Sequence, residues 1–466
     1  MTPRLGPRLV VAGTHSGAGK TTVATGLMAA LARRGLRVAS AKVGPDFIDP
    51  GYHSLATGRP GRNLDAWICG PEAMAPLAAR AAKGSDVLVV EGVMGLFDGA
   101  GPAPSPPQLD TASTAQVAAL LEAPVVLVVD ASALSASVAP LVHGFATWHP
   151  EVRVAGVVLN RVGSDGHEIL LREALAPVGV PVLGALRRDE AMAWRDRHLG
   201  LVPVVEDRAG AARALDRLAA RLEQQLDVSG LLALAQAAPG RPTSPVARAR
   251  ESGRARVAVA GGPAFSFAYP DNLERLEEAG AELVGFDPLT APALPAGVQG
   301  LYVGGGFPEV FLQSLAANTS LLADAAARVR GGLVTWAECG GLLWLARSLD
   351  RRPLCGVVPA DGTMGERLTL GYRRARALEE SPLAPAGTVL KGHEFHYSQL
   401  EPPGGALEMR GRHGASRGGW ASPTMLASYL HLHLGADPEP AERFVAAAAR
   451  GSLPPLRGER PEHEQG

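Results

Sequence analysis

Long apolar runs, paired cysteines and an excess of one charge are all lacking in this sequence of 466 residues. No run reaches the roughly 18 to 20 apolar residues that a membrane-spanning helix needs, and we expect no signal peptide, because the first apolar stretch leads into a glycine loop. The formal net charge of -1 gives no electrostatic reason to expect nucleic acid or an anionic membrane as partner. The three cysteines, Cys69, Cys339 and Cys355, form neither a disulfide framework nor a CxxC zinc pattern. These absences favour a globular protein of the reducing cytoplasm.

Short apolar runs alternate with helical segments along the first half of the chain. The runs are β-branched and apolar nearly throughout, which is typical of strands covered on both faces. Helical segments such as residues 21–34 and 111–121 lie between them. This alternation predicts right-handed crossovers and a mostly parallel sheet. The predicted strands of this half are residues 9–13, 36–42, 86–91, 125–130, 152–160 and 180–186.

The alternation stops in a stretch rich in Pro, Gly, Ser and Arg, at residues 227–255, which we interpret as an inter-domain linker. It then resumes, and a hydrophobic share of 46% is enough for each half to bury its own core. The predicted strands of the second half are residues 256–260, 282–286, 301–305 and 333–338. The sequence therefore predicts an α/β fold with one domain at 1–226, a linker at 227–255, a second domain at 256–450 and a disordered tail at 451–466.

A glycine-rich loop follows the first strand and leads into a helix, which is the order that a phosphate-binding P-loop needs. Its glycines let backbone N–H groups turn inward around phosphate oxygens, and the helix N-terminus adds partial positive charge. We expect Lys20 to reach the β- and γ-phosphates of ATP and the Thr21 hydroxyl to bind Mg²⁺. The predicted nucleotide-binding residues of the loop are Gly13, Thr14, Gly17, Gly19, Lys20, Thr21 and Thr22.

The spacing of this loop departs from the usual G-x4-GK[ST] pattern. Gly13 stands one residue further back, and Thr14 occupies the first glycine position. That variant resembles the dethiobiotin-synthetase-like branch of P-loop proteins. The alternative is a glycine-rich strand–helix turn that binds no nucleotide.

Carboxylates follow the second and third predicted strands, where the carboxyl ends of a parallel sheet build a site. We assign Asp46 and Glu91 to the metal, because Mg²⁺ prefers oxygen ligands. Asp49 and Asp98 are assigned to substrate positioning or to a second metal. Each of these residues could instead form a turn or cap a helix. Asn160 is a candidate reader of adenine, and the alternative for it is a turn at the end of its strand.

Cys339 lies between a predicted strand and a helix in the segment Ala-Glu-Cys-Gly-Gly, which has the form of a nucleophile elbow. We expect the following helix N-terminus to favour the thiolate. Cys69 and Cys355 lack such a setting and are predicted to be inert. A cysteine nucleophile needs a base, and His431 and His433 share one face of a stretch that alternates like a strand. A zinc pair is the alternative for these two histidines, and no further Cys or His pattern supports it.

Two further groups complete this second predicted site. Backbone N–H groups of Gly304 and Gly305, after the strand at 301–305, suit an oxyanion hole, in which losing one donor costs about 10²–10³ in rate. A carboxylate that orients the histidine is not evident, and Glu439, beyond the strand, is the remaining candidate. Such a cysteine site would release ammonia from glutamine. An ATP site with extra carboxylates would supply the electrophile, by phosphorylating a substrate carboxylate to an acyl phosphate.

The motifs in chain order resemble those of the cobyrinate or hydrogenobyrinate a,c-diamide synthases of cobalamin biosynthesis. The resemblance covers about residues 8 to 445. The motifs are GTHSGAGKTT, KVGPDFIDPGYH, GRNLDAW, EGVMGLFDG, LNRVGS, GGGFPE, AECGG, GHEFHYS and SYLHLH.

This resemblance implies a P-loop parallel-sheet domain followed by a class I, triad-type glutamine amidotransferase domain. It implies amidation of the a and c acetate side chains of a corrin ring acid, with two L-glutamine, two ATP and Mg²⁺. His431 is then the base, and the family pairs Cys with His without the usual carboxylate. The family's Asp-Tyr-Leu/Ile-Asp stretch has Phe47 in place of Tyr here, so a catalytic role of that position is in doubt.

Two alternatives stay open at the level of the sequence. A cobyric acid synthase-like enzyme would amidate other side chains of the ring, although the KVGPDFIDPGYH segment argues against it. A ParA/MinD-like ATPase switch would leave Cys339 and His431 without a role. Whether the ring holds cobalt is also open, although the GC-rich composition favours hydrogenobyrinate. The oligomeric state, a homodimer included, stays open as well.

Overall fold

Three main sheets organise the chain. The computed structural model describes residues 4–101, 108–188, 196–197, 200–412 and 414–451. The first sheet comes from the first half, and the other two come from the second half. Nearly all of the predicted tail, residues 452–466, lies outside the described residues. No helix among these residues is long and apolar enough to cross a membrane.

The first sheet has seven parallel strands in the order β4-β3-β5-β2-β6-β7-β8. This confirms the predicted parallel sheet. The core strands are buried throughout, as their β-branched composition requires. The edge strand β4 has only three residues, too few for a periodic signal, and was not predicted. The strands of this half are β1 (Arg4–Leu5), β2 (Arg8–Gly13), β3 (Val38–Val43), β4 (Arg62–Leu64), β5 (Val87–Glu91), β6 (Val125–Asp130), β7 (Val154–Val162), β8 (Val182–Arg187), β9 (Asp196–Arg197) and β10 (Gly200–Leu201).

Helices cover both faces of this sheet. They are α1 (Lys20–Arg33), α2 (Asp49–Thr57), α3 (Met74–Ala81), α4 (Thr114–Leu121), α5 (Val138–Thr147), α6 (Asp165–Leu175), α7 (Arg208–Gln225) and α8 (Val228–Gln236). The helix predicted at 111–121 begins three residues later, because the Ser113 side chain accepts a hydrogen bond from Gln116 N and caps it. Helices α1 and α7 approach closely, since a Cβ on Gly26 would lie 2.6 Å from Leu222 Cδ2.

The segment predicted as a linker is anchored to the first half over much of its length. It begins with α8, whose Val228, Leu231 and Ala235 are buried in the core beneath the sheet. Strand β11 (Arg241–Pro242) then pairs antiparallel with β1. Composition misled here, because an Ala- and Leu-rich helix of nine residues precedes the part of the segment that is rich in Gly and Pro. The domain boundaries themselves stay a prediction.

The second sheet has the order β13-β12-β14-β15-β23-β22, and its strands are parallel apart from β22. All four strands predicted in this half are present. The strands are β12 (Ala255–Ala260), β13 (Ala281–Phe286), β14 (Gly300–Val303), β15 (Val334–Glu338), β22 (Trp420–Ser422) and β23 (Met425–Ser428). The helices of this half are α9 (Pro270–Glu278), α10 (Leu312–Ala317), α11 (Thr319–Arg330), α12 (Gly340–Leu345) and α13 (Glu439–Arg450).

The third sheet is built on two long antiparallel strands and was not predicted. Its strands are β16 (Ala346–Leu349), β17 (Arg352–Pro353), β18 (Val358–Ala377), β19 (Val389–Glu401), β20 (Leu407–Gly411), β21 (Gly414–Gly418) and β24 (His431–Leu432). Much of β18 is solvent-accessible and rich in Arg and Gly, so it gives no apolar run. The hairpin reaches the first half of the chain, where Tyr372 Oη donates to Asp65 Oδ2 at 2.9 Å.

Ion pairs join α9 of the second half to the first half. Arg62 Nη1 lies 3.0 Å from Asp271 Oδ1, and the same guanidinium pairs with Glu274. Arg80 also binds Glu274, with its Nε 2.9 Å from Glu274 Oε2. The side chains of Arg62, Arg80 and Asp271 are largely shielded from solvent, so the two halves meet through a specific ionic contact.

Candidate active sites

The P-loop takes its shape in part from two glycines with left-handed backbone. Strand β2 ends at Gly13, and α1 begins at Lys20. Gly17 and Gly19 have φ angles of 82° and 100°, in the left-handed region that favours glycine. A Cβ on Gly19 would also lie 2.1 Å from Asn160 Nδ2. The loop therefore has the backbone form that was predicted, although nucleotide contacts of its residues stay predictions.

Lys20 is the basic group of this loop and is mostly buried. Its Nζ donates to His15 O at 3.1 Å, so the ammonium lies back against the loop backbone. Burial, helped by the nearby Lys42, lowers the pKa of Lys20 to about 8. Thr14 and Thr22 flank the loop and are partly accessible. A bound phosphate would give this ammonium a hydrogen-bond partner of opposite charge.

An acidic cluster lies beside the first turn of α1. Thr21 Oγ1 is 2.5 Å from Glu91 Oε1 and 3.4 Å from Asp49 Oδ2. Lys42 Nζ bridges the two carboxylates, at 2.7 Å from Asp49 Oδ2 and 2.8 Å from Glu91 Oε1. His53 Nε2 lies 2.6 Å from the other oxygen of Glu91. The structure thus brings Thr21, Glu91 and Asp49 together as predicted, and adds Lys42 and His53.

The charges of this cluster depend on each other. Burial alone would favour the neutral amine of Lys42, but Asp49 and Glu91 outweigh it and raise its pKa. Burial also opposes ionisation of Glu91, yet Lys42 and His53 hold its pKa well below the usual range. The pKa of Asp49 is raised by burial and by Asp46. Two lysines therefore act on this cluster, because Glu91 and Asp49 interact with Lys20 as well as with Lys42.

Asp46 and Asp98 have local roles in the described structure. Asp46 Oδ1 accepts hydrogen bonds from Ile48 N at 2.8 Å and Asp49 N at 3.0 Å, so it shapes the turn before α2. Asp98 Oδ2 accepts from Gly95 N at 2.8 Å. Asp49, not Asp46, is the carboxylate of this loop that contacts Thr21. The metal assignment of Asp46 and the substrate assignment of Asp98 stay predictions.

Asn160 supports the P-loop from the end of β7. Its Nδ2 donates to Ala18 O at 2.9 Å, and its Oδ1 accepts from Arg161 N at 2.9 Å. Both ends of the amide are therefore engaged with backbone. The predicted contact with adenine would need this amide to exchange partners, and it stays a prediction.

The elbow at Cys339 is a strained turn between β15 and α12. Cys339 has φ 47° and ψ −98°, an unfavourable conformation for a residue with a side chain. Its N–H donates to Ser428 O at 2.8 Å, which ties the turn to β23. A Cβ on Gly341 would lie 2.2 Å from Val303 O, so only glycine lets α12 pack against β14 here. This is the strand–turn–helix context that the motif predicted.

The thiol of Cys339 is not pre-ionised as we had expected. Burial, followed by the nearby Glu309, raises the pKa of Cys339. The backbone N–H of Gly340, at the start of the six-residue helix α12, lowers the pKa of the thiol, but burial outweighs it. Cys339 Sγ lies 3.9 Å from Phe395 O, and no hydrogen bond joins it to His431 within the described chain. A base is therefore needed to ionise it.

The segment that holds His431 and His433 is a strand over two residues only, which shortens the predicted strand. Strand β24 holds only His431 and Leu432, because side chains take over the next backbone hydrogen bonds, such as Leu434 N to Asn272 Oδ1 at 2.7 Å. The His431 ring stacks on His393 at a centroid distance of 4.9 Å. His433 instead lies with its Nδ1 3.3 Å from Cys69 Sγ. Among the described residues, no group of three or more His, Cys, Asp or Glu side chains is arranged to hold a metal ion.

The glycine loop after β14 lies between His431 and the elbow. A Cβ on Gly305 would be 2.5 Å from His431 Cε1, so glycine is needed here for the histidine to fit. The Gly305 N–H, however, already donates to Phe267 O at 3.0 Å, and Gly304 O accepts from Gly341 N at 3.1 Å. Gly306 N lies 3.1 Å from the Cβ position of Gly340, the residue after the nucleophile. Gly306 is thus better placed than Gly305 as an oxyanion donor, and the oxyanion assignments stay predictions.

Phe47 links the two sites. It follows β3 in the loop that carries Asp46 and Asp49, yet its ring lies 5.1 Å from the ring of His431. It also stacks on Phe267 at 5.2 Å and contacts Tyr269 at 4.4 Å. The loop between β3 and α2 therefore has acidic groups at the P-loop and an aromatic group at the histidine of the second site.

Comparisons with known proteins agree with this two-site geometry. Residues 9–201 match the family of CobQ/CobB/MinD/ParA nucleotide binding domains, and residues 256–439 match the CobB/CobQ-like glutamine amidotransferase domain. The hydrogenobyrinate a,c-diamide synthase of Streptomyces coelicolor is 51% identical over 94% of this chain and 97% of its own length. This chain belongs to the a,c-diamide synthase family.

Two other members show the spread of the family. The hydrogenobyrinate a,c-diamide synthase of Thermobifida fusca is 47% identical, over 95% of this chain and 97% of its own. The cobyrinate a,c-diamide synthase of Syntrophotalea carbinolica is 43% identical, over 94% of this chain and 98% of its own. Membership of the family confirms the resemblance inferred from the motifs, and with it a carbon–nitrogen ligase that has a nucleotide-binding half and a glutamine amidotransferase half.

Sequence reasoning missed three residues that the structure brings into the sites. Lys42 and His53 contact Glu91, and both belong to the quoted KVGPDFIDPGYH motif, so the motif itself was the available signal. Glu338 lies next to Cys339 in the chain, and its Oε2 is 3.7 Å from His431 Nδ1. Glu439, the earlier candidate for an orienting carboxylate, is exposed at the start of α13, whereas His431 is buried. Glu338 belongs to the quoted AECGG motif, so the motif was the available signal for this residue as well.

Proposed function

We propose that this enzyme amidates the a and c acetate carboxylates of hydrogenobyrinate, using ATP and L-glutamine. The observation that carries the proposal is the contact of Phe47 with His431, because one loop thereby joins the phosphate-binding half to the glutamine-splitting half. Ammonia is useful only when an electrophile awaits it, and this contact supports the release and use of ammonia within one protein.

The chemistry divides between the two sites. At the first site, a substrate carboxylate oxygen attacks the γ-phosphorus of ATP and ADP leaves, which gives an acyl phosphate. At the second, Cys339 Sγ attacks the glutamine amide carbon, and ammonia leaves once its nitrogen has gained a proton from the base His431. Water then releases glutamate from the thioester. Ammonia attacks the acyl carbon, phosphate leaves, and the amide remains. The same steps repeat for the second carboxylate.

Mg²⁺ fits the first site by the chemistry of its donors. Thr21 Oγ1, Glu91 Oε1 and Asp49 Oδ2 converge within hydrogen-bond distance, and Mg²⁺ is bound by one or two carboxylates together with phosphate oxygens and waters. In this proposal Thr21, Glu91 and Asp49 hold the metal, and Asp46 shapes the loop. When bound, the ion would neutralise charge on the phosphates.

Hydrogenobyrinate is proposed in preference to cobyrinate on the pattern of the relatives. Those named for hydrogenobyrinate are 45–51% identical to this chain, and those named for cobyrinate are 40–43% identical. The purified enzyme should be given each ring acid, with the product mass measured. Two amides on the metal-free ring and slow turnover of the cobalt ring would support the choice, and the reverse preference would overturn it. Amidation at other side chains would favour the cobyric acid synthase-like alternative.

The division of labour is tested with two substitutions. Cys339→Ala should abolish glutamine-dependent amidation and retain the reaction with free ammonia. Lys20→Ala should remove amidation from either nitrogen source and leave glutamine hydrolysis measurable. A Cys339→Ala enzyme that still uses glutamine, or a Lys20→Ala enzyme that still amidates, would contradict the assignment. The proposal includes a cytoplasmic location, which rests on the cysteine pattern, and it leaves a homodimer to be tested by light scattering.

A further inference from the structure

A histidine that acts as a base needs its ring held in one orientation, with one nitrogen free to accept the proton. A base of this kind is usually oriented by a third group that binds the opposite nitrogen. His431 Nδ1 is buried and has no hydrogen-bond partner among the described residues. The sequence offers His433 two residues further on, but its Nδ1 is engaged with Cys69 Sγ at 3.3 Å and Gly435 N at 3.1 Å. The orienting group must come from elsewhere in the fold.

Glu338 is the carboxylate that lies next to this nitrogen. Its Oε2 is 3.7 Å from His431 Nδ1, and both side chains are at most 2% exposed. The contact is longer than a hydrogen bond, but a shift of about 0.7 Å would bring it to the 2.7–3.2 Å range. Catalytic hydrogen bonds are often long without substrate and tighten when it binds. The pair is thus poised, with an acceptor and an unpartnered nitrogen facing each other in a dry site.

Two donors hold Glu338 in this position. The backbone N–H of Leu432, the residue after His431, donates to Glu338 Oε1 at 2.9 Å. Tyr302 Oη donates to Oε2 at 3.2 Å. Burial, and then the charge of Glu338 itself, raises the pKa of Tyr302, so this phenol keeps its proton and remains a donor. These bonds fix the position of the carboxylate and leave Oε2 with capacity for a second donor.

The other neighbours of His431 do not compete for this role. The His393 ring stacks on it, and burial followed by the nearby His431 lowers the pKa of His393, which keeps that ring neutral. Phe47 contributes only an apolar face. Glu338 is therefore the one charged group in contact with His431 within the described chain.

We propose that Glu338 is a positioning residue of the glutaminase, and that it directs Nδ1–H of His431 so that Nε2 is the nitrogen that acts on Cys339. This assignment rests on the proposed function. In the reacting step the Sγ proton moves to Nε2, the thiolate forms, and the carboxylate stabilises the imidazolium without taking up a proton. The nucleophile and the group that orients its base are then consecutive residues, and β24 brings His431 to both of them.

The test is Glu338→Gln, which keeps the shape of the side chain and removes its charge. We expect kcat with glutamine to fall by about 10²-fold or more with little change in KM, because Glu338 does not contact glutamine in this proposal. The acidic limb of the pH–rate profile should move to lower pH, since no carboxylate favours the imidazolium. Glu439→Gln, on the exposed first turn of α13, is the matched control and should behave as the unmodified enzyme does.

Three outcomes separate the hypotheses. If the unmodified enzyme forms no amide even with ammonia, the proposed function fails. If Glu338→Gln keeps the full kcat with glutamine and the same pH profile, only the role of Glu338 fails. If that variant does not fold, Tyr302→Phe removes one of the two donors that hold the carboxylate. It should lower kcat several-fold at constant KM, and an unchanged kcat would overturn the proposal.

Discussion

Lys20 is a residue of the phosphate loop whose charge changes close to neutral pH. Its pKa is lowered to about 8 by burial and by Lys42, so the free enzyme holds it charged below that pH and increasingly neutral above it. Bound phosphates favour the charged form and raise its pKa again. Above about pH 8, ATP binding therefore has to take up a proton, and linkage makes the affinity fall as the pH rises.

The expected result is an ATP Kd that is constant below about pH 8 and rises by up to about tenfold per pH unit above it. Isothermal titration calorimetry across this range measures both the Kd and the proton uptake. Lys20→Arg is the control, because a guanidinium stays charged throughout the range and should give a flatter profile. A Kd for the unmodified enzyme that does not change with pH would contradict the lowered pKa.

Gly341 is the residue on which the elbow geometry depends most directly. A methyl group there would lie 2.2 Å from Val303 O, and backbone cannot move aside as a side chain can. We expect Gly341→Ala to lower the free energy of unfolding by about 1–3 kcal/mol and to reduce glutamine-dependent amidation more than ammonia-dependent amidation. Urea denaturation and the two activity assays measure these effects.

Gly285 is the matched control for this substitution. It also lies in the second half, in β13, and a Cβ there would meet nothing within 4 Å. Gly285→Ala should leave both activities intact and leave the stability unchanged or slightly raised, since alanine restricts the unfolded chain. Equal effects of the two substitutions would show that steric pressure at the elbow is not the cause.

At the scale of elements, the parallel sheets are predictable, and the third sheet is not. Strands such as β6 are buried on both faces and read as apolar runs, so the matched prediction at 125–130 has the observed bounds. Strand β18 is long, accessible and rich in Arg and Gly, and its partner β19 lies across a connection of eleven residues. Tertiary contacts set the pairing of β18, and they leave no periodic pattern in the sequence.

The two sites likewise have features that the sequence predicts and features that it does not. The Cys339 elbow and the P-loop are local motifs, and their backbone forms follow from neighbouring residues. The contact of Glu338 with His431 joins the end of β15 to β24, which lies almost a hundred residues later. The contact of Phe47 with His431 joins the two halves of the chain. Such contacts depend on how elements pack. The order of the motifs therefore indicates the chemistry but not which side chains contact each other.

The loop between β3 and α2 is the element through which one site can sense the other. Phe47 packs against His431, Phe267 and Tyr269, while Asp49, the first residue of α2, lies 3.4 Å from Thr21. We expect Phe47→Ala to loosen this connection, so that glutamine is hydrolysed without matching amide formation. The measurement is the ratio of glutamate to amide formed, which should rise above that of the unmodified enzyme.

Phe145→Ala is the matched control for this substitution. Phe145 pairs with Phe97 at 5.8 Å within the first half of the chain. The substitution should remove a comparable aromatic contact, which contributes about 0.5–1.5 kcal/mol to the free energy of unfolding. It should leave the glutamate-to-amide ratio unchanged. If Phe47→Ala lowers both reactions in parallel and keeps the ratio, the loop does not connect the two sites.

At the scale of the whole molecule, the two halves depend on a small ionic network. Glu274 on α9 binds Arg62 and Arg80 of the first half, and its side chain is 31% exposed. Burial opposes its ionisation, but the two guanidinium groups outweigh burial and lower the pKa of Glu274. Removing it would leave two partly buried guanidinium groups close together with only Asp271 and Glu278 to balance them.

Glu274→Ala should therefore weaken the contact between the halves by about 1–2 kcal/mol, less than a fully buried pair because solvent reaches this site. The matched control is Glu223→Ala, which breaks the Arg34–Glu223 pair inside the first half at a similar exposure. Calorimetry should show the unfolding transition of the Glu274 variant broadening or splitting into two, with the Glu223 variant unfolding as before. Because amidation needs both halves aligned, glutamine-dependent activity should fall in the first variant alone. Identical transitions and activities in the two variants would mean that the aromatic contacts around Phe47, and not this network, hold the halves together.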